Sequence, residues 1–438
     1  MLQFLVAKGA KIDAIEENVA TVLHVAAESD NLNVVQFLVA KSANVHITDN
    51  SGNTILHRAG LHGNLDIVQF LISKSAKFDA TSKIGQSVLH EAVKSGNLDM
   101  LQFLVAKGAN VDAPSEVGDT VLHVAAKSGN LDKVQFLVVK GAKINAVDKY
   151  DNTVLHLLVT RSGTLDKVQF LLAKGSNVNA IDIYGNTILH YFVASSGSLN
   201  KIQILMAKGA KVNIVDNDDN TVLHKAASYG NLDVVQFLVV RGANIDATNK
   251  VGQSVLHEAI RSGNWDIIQI LIAKGANLDA TNKIGQSVLH EAVKCDTLDI
   301  LQCLVAKGAK IDAINNYGNS VLDRATLYGN LDVVQFLIAK GVKVNGIDKD
   351  GNTVLHKAAQ SGNLDIVKFL VTKISKVNAI NKYGNSVLHR SALYGNLDTV
   401  RFLVAKGAKI NAIDVSTFPS PICTFSKKYT GCFIVKEM

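Results

Sequence analysis

The chain has 438 residues, 47% of them hydrophobic, and a formal net charge of +7. Four cysteines over this length argue against a disulfide framework and point to a reducing compartment, with the cytoplasm as the expected location. No apolar run approaches the roughly 18 residues of a membrane helix, and the order of charge and apolar residues in Met1–Lys8 is wrong for a signal peptide.

The predicted elements begin in mid-pattern. Residues 1–8 match the second helix of a helical pair whose first helix is absent, so 1–13 reads as half a repeat. From His24 to His389 the segment [Thr/Ser]-[Val/Ile]-Leu-His then recurs eleven times, and a further copy ends in Asp323. Successive copies are 33 residues apart, except for His156 to His190 and His190 to His224, which are 34 apart. A period of this length marks stacked supersecondary units, none of which buries its apolar face alone.

The unit from Asn220 to Ala247 shows the physics. Thr221 is a hydroxyl N-cap, Val222 opens a short helix, and Gly230 ends it. Asn231 caps a second helix whose stripe is Leu232, Val235, Leu238 and Val239, widened by Val234 and Phe237. Gly242 stops that helix, and residues 243–252 run out and back as a finger to the next cap.

Departures from this pattern come in chain order. Val19 replaces the finger glycine, and Asp151 and Asp219 fill the same slot in later units. The His156 and His190 units each carry one extra residue between helices, within 160–164 and 194–198, and place Leu158 and Phe192 in a slot that elsewhere holds Ala or Ser. Large side chains in a close-packed slot predict local strain there. Cys295 and Cys303 mark a degraded unit, read as repeat drift rather than a redox pair. Ile374 sits in a helix-ending glycine slot, which predicts a weak joint. After Asp414 the period fails, and residues 415–438 read as a disordered, non-repeat tail.

Stretches such as Thr221–Ala226 and Thr353–Ala358 resemble the ankyrin repeat, whose signature is Thr-Pro-Leu-His-x-Ala with a period of about 33 residues. The resemblance covers residues 1–414, as the half repeat and twelve full repeats. It departs at one position, where the family's Pro is Val or Ile throughout. What it implies is an all-α solenoid of helix-turn-helix units with short β-hairpin-like fingers. It also implies a non-catalytic intracellular scaffold that binds other proteins on its concave face and fingertips.

The residues that could carry other chemistry have simpler readings. The histidines recur at repeat spacing, about 8–10 Å apart, too far for adjacent rungs to share one zinc. They read as ties between the finger backbone and the helix start. Glu91, Glu258 and Glu291 follow histidines, but Lys94, Arg261 and Lys294 stand where a zinc protease needs its second His. No catalytic residue, cofactor, metal or small-molecule substrate is expected. The basic excess sits in a Lys or Arg at each second-helix end, where it meets the helix dipole, so nucleic acid is not the expected partner. A monomer is expected.

The slot after each histidine varies while the scaffold around it repeats. Between His123 and His190 it becomes apolar and aromatic, as Val124, Leu157 and Tyr191, beside the fingertip residues Tyr150, Ile183 and Tyr184. An apolar centre with a charged rim predicts a protein-binding site at these six residues. The competing reading is that Leu157 and Tyr191 pack onto Leu158 and Phe192. Two other roles stay open: a regulatory or targeting subunit of a phosphatase or ubiquitin ligase, and the cytoplasmic array of a larger membrane-associated protein.

Overall fold

The computed structural model describes residues 13, 20–161, 165–194, 199–294, 298–374 and 376–410. The expectations for the half repeat, Val19, the inserted turns at 162–164 and 195–198, Cys295 and the tail lie outside the described residues. Twenty-four α-helices alternate along the described residues with finger turns, an all-α repeat solenoid. The chain divides into two compact units between Asn217 and Asp218. Within each unit, first helices of consecutive repeats are packed on one another and each second helix lies against its own first helix.

Each first helix starts where the hydroxyl residue predicts. Thr221, in extended conformation, accepts the His224 N–H through its side chain, and the helix Val222–Ser228 follows. The apolar positions after the cap then go inward: in Ile55–His62 these are Ile55, Leu56, Ala59 and Gly60, with His57 among them. Second helices have nine residues, as in Leu232–Val240. The buried set there is Val234, Val235 and Leu238, while Leu232 and Val239 stay half-buried. The stripe is therefore rotated from the expected one, because the face is shared between the unit's own first helix and the neighbouring second helix. Each such aliphatic side chain contributes on the order of 1.5–3 kcal/mol when fully buried.

Asparagine at the second-helix cap has two jobs. Asn264 Oδ1 accepts the Ile267 N–H at 3.1 Å, and its Nδ2 donates to the Gly230 carbonyl of the preceding repeat at 3.2 Å. Asp would supply only the acceptor, which explains the amide. The fingers close by single antiparallel bridges, such as Thr81 with Ser87 and Val147 with Thr153. Neighbouring fingertips are joined by one backbone bond each, as Glu116 N–H to Ile84 O at 3.0 Å and Ile183 N–H to Tyr150 O at 2.9 Å. The finger glycine follows from both constraints: Gly85 has φ +72, and a Cβ there would lie 2.7 Å from the Glu116 nitrogen. Asp151 and Asp219 take the same left-handed conformation, with φ 57 and 60.

The structure bears on two of the departures, and the expectation at Ile374 changes. Leu158 and Phe192 are both buried, and the Lys201 ammonium sits 5.0 Å from the Phe192 ring centroid. Ile374 does not adopt positive φ. Its φ of −124 and ψ of 125 are extended, the helix Leu364–Lys373 runs one residue longer than the others, and Ile374 is buried. The chain replaces the glycine turn with an apolar anchor.

Candidate functional site

The histidines of eight repeats each link three pieces of backbone. The Thr54 backbone N–H points at His57 Nδ1 at 3.1 Å, and the Thr54 hydroxyl lies 2.9 Å from the same nitrogen. A backbone N–H can only donate, so Nδ1 is the acceptor and the ring proton is on Nε2. Nε2 then donates to the Gln86 carbonyl of the next finger at 2.9 Å. His90 makes the same tie to Asp119 at 3.1 Å and His257 to Gln286 at 3.2 Å. The imidazoles are tie-beams, as the sequence suggests. Burial holds His57, His90, His123, His257 and His356 below the ordinary histidine range, and His290 is pushed down to about 4. His156, which precedes the first 34-residue step, differs: the Asn186 and Ala180 carbonyls neighbour its Nε2 without closing a regular hydrogen bond.

In several repeats the residue after the histidine is held by the finger of its own repeat, nine positions earlier. Asp49 Oδ1 accepts the Ser51 and Asn53 N–H groups, and its Oδ2 takes the Arg58 guanidinium at 2.7 Å. Burial alone would raise the Asp49 carboxyl, but the hydrogen bonds from Arg58 and Asn53 hold it below the usual range. Lys357 meets Asp348 at 2.5 Å in the same way. In the glutamate repeats the acid instead pairs forward, Glu91 with Lys94 at 2.9 Å and Glu291 with Lys294 at 2.7 Å. The slot is thus less free than its variability suggests.

The six predicted site residues fall into two groups. Tyr150, Ile183 and Tyr184 stand out at the fingertips with 48%, 45% and 66% of their surface exposed. Val124 and Leu157 are buried, at 8% and 9%. Tyr191 is half-buried, donates its hydroxyl to Asp182, and lies edge-on to His156 with centroids 6.3 Å apart. Burial first, and then Asp182, push the Tyr191 phenol up. Tyr150 and Tyr184 continue a row of exposed apolar fingertips that begins with Ile84 and Val117.

Sequence reasoning missed two features of the cations. The helix-end cations cover the aromatic ring one turn back, as Lys74 on Phe70 at 5.7 Å and Arg241 on Phe237 at 5.2 Å. The recurring Phe four residues before Lys was the available signal. Lysine also enters second-helix positions that elsewhere hold Val, Ile, Met or Thr. Lys133 is buried and donates to the Val93 carbonyl at 2.6 Å, and burial lowers its pKa. Lys167 donates to Gly129 O at 2.7 Å. Its repeat has Thr164 in place of the cap asparagine, so the ammonium takes over the donor role that Asn264 plays toward Gly230.

Among the described residues, no helix is long and apolar enough to cross a membrane, and no group of three or more His, Cys, Asp or Glu could hold a metal. No curated protein matches the chain. A solved structure, that of the human ASB11 ankyrin repeat domain, is similar to it at 25% identity and a TM-score of 0.46, over 51% of this chain and 99% of that one. The family model described as "Ankyrin repeats (3 copies)" matches in overlapping segments from residues 1–82 through 322–414. With the capped helix pairs, the finger bridges and the histidine ties in place, the chain belongs to the ankyrin repeat family.

Proposed function

We propose that the chain is a non-catalytic protein-interaction scaffold, acting as a monomer in the cytoplasm. Ankyrin repeats are in general protein–protein interaction modules. The observation that carries the reading is the apolar fingertip row of the first unit, Ile84, Val117, Tyr150 and Tyr184, exposed yet fixed by a backbone bond at each step. Such a row presents large, rigid side chains at little conformational cost, the composition favoured at interface hot spots. Ile183 extends it, while Val124 and Leu157 are buried and Tyr191 is half-buried.

The test is capture of partners by the intact chain, followed by affinity measurements with Tyr150→Ala, Tyr184→Ala and Tyr191→Ala. Alanine at the two fingertip tyrosines should each weaken partner binding by about 1–2 kcal/mol or more with the melting midpoint unchanged. Tyr191→Ala should lower the midpoint instead. Undiminished affinity in all three variants would place the site elsewhere.

A further inference from the structure

The slot after each histidine follows a charge rule, and two arginines in the second unit break it. A cation in the slot is matched by a finger acid nine residues earlier, as Arg58 with Asp49 and Lys357 with Asp348. An acid in the slot stands opposite Ser82, Asn249 or Asn282 and pairs with a cation three residues on. Arg324 and Arg390 have neither form of compensation. Their finger residues are Asn315 and Asn381, and three residues on stand Leu327 and Leu393. The Asn381 Nδ2 donates to Asn352 at 2.8 Å, and its Oδ1 already accepts the Tyr383 and Asn385 N–H groups at 3.0 Å. Glu291, in the repeat before Arg324, is already held by Lys294 and Arg261. Among the described residues, neither guanidinium has an ion-pair or hydrogen-bond partner, and the Arg324 Nε is buried without one.

The two sites share one sequence pattern. Arg324 lies 5.3 Å from the Tyr328 ring centroid, with the exposed fingertip Tyr317 in the same repeat. Arg390 has Tyr383 and Tyr394 at the equivalent places, both exposed. Two repeats separate them, roughly 16–20 Å at the usual helix spacing. An extended peptide covers that distance in about five or six residues. Between them Asp348 is neutralised by Lys357, but Asp350 adds a carboxylate whose partner is the Tyr383 hydroxyl at 3.1 Å. A continuous polyanion would have to cross that charge, whereas a peptide with acids only at the two ends would not.

We propose that Arg324 and Arg390 hold two carboxylates, about five or six residues apart, on an extended acidic segment of a partner protein. The inference rests on the protein-binding reading above but concerns a different face, in the second unit. The test is selection of a fully randomised ten-residue peptide display library on the intact chain. Enriched peptides should carry two Asp or Glu at that spacing, and changing either acid to its amide should weaken binding about tenfold or more. Arg324→Gln and Arg390→Gln should each do the same, while Arg58→Gln leaves peptide affinity intact. Because no native ion pair or hydrogen bond is lost, the two variants should keep the melting midpoint to within the small worth of the Arg324–Tyr328 contact, whereas Arg58→Gln strands the buried Asp49 and lowers it. Enriched peptides without the acid pair, binders insensitive to both arginine variants, displacement by a single-stranded oligonucleotide at comparable concentration, or a fall in midpoint for Arg324→Gln beyond that small worth would each overturn the proposal. Binders that depend on Tyr150 and Tyr184 instead would sink this inference and leave the fingertip reading standing.

Discussion

A neutral imidazole at His57 is required by the Thr54 amide, which donates to Nδ1. Protonating Nδ1 would abolish the acceptor that the Thr54 amide needs, while Nε2–H still donates to Gln86, so a charged ring loses the cap side of its tie. The histidines whose pKa is depressed bind a proton in the unfolded chain before they do in the fold. Their contribution is present above the unfolded value of about 6.5 and is lost as pH falls from there toward the folded values. Glu258 and Asp323, both raised by burial, act in the opposite sense, but they are two groups against eight histidines lowered by burial. The urea midpoint should therefore fall steadily between pH 7 and pH 5; a midpoint flat over that range would show the ties contribute nothing. Asp323 supplies a second test. It accepts the Ser320 N–H at 2.8 Å as histidine would, but has no Nε2–H for the Asn352 carbonyl of the next finger. Asp323→His should raise stability by about 0.5–1.5 kcal/mol, read from the same urea midpoint.

Among the elements, first-helix starts were legible because hydroxyl, aliphatic and His side chains stand in fixed order, with Asp323 the single exception to His. The fingers were legible from their glycines. The second-helix stripe was misplaced by part of a turn, since periodicity identifies a face but not how two neighbours divide it. Lys167 was illegible for a related reason: its role depends on Thr164 three residues away and Gly129 in the preceding repeat. Ile374 was misread because a slot defined by alignment says nothing of a chain that changes its turn. Since Ile374 is buried, Ile374→Gly should lower stability by about 2 kcal/mol or more rather than strengthen the turn. A rise in the thermal midpoint would restore the strained-turn reading. Val354 opens its helix after Thr353, whose ψ of 166 suits a residue before proline. Val354→Pro should then add about 0.4–1 kcal/mol through the unfolded chain, and a lower urea midpoint would show that the lost valine packing outweighs it.

At the scale of the whole molecule, repetition made the family legible and the partner illegible. Every copy reinforces the cap, the turn and the tie, so twelve weak signals add to one strong one. A binding site appears only where copies differ, and a difference in one repeat has no second instance to corroborate it. The six predicted residues illustrate the limit. The sequence brought them to one neighbourhood, but only burial separates Tyr150, Ile183 and Tyr184, which face outward, from Val124 and Leu157, which do not. The arginine exception at Arg324 and Arg390 needed pairing partners nine residues away to be visible at all.

The fingertip ladder divides the duties of a single residue between its atoms. Tyr150 gives its carbonyl oxygen to the Ile183 N–H of the next finger, while its ring lies out in solvent. Any residue has that carbonyl, so the ladder asks nothing of the side chain. The tips can be rewritten one at a time, as Ile84, Val117 and Tyr150 already differ, with the joint beneath each left intact. The row is in effect a line of interchangeable type set in a fixed frame, where the words can change without loosening the page.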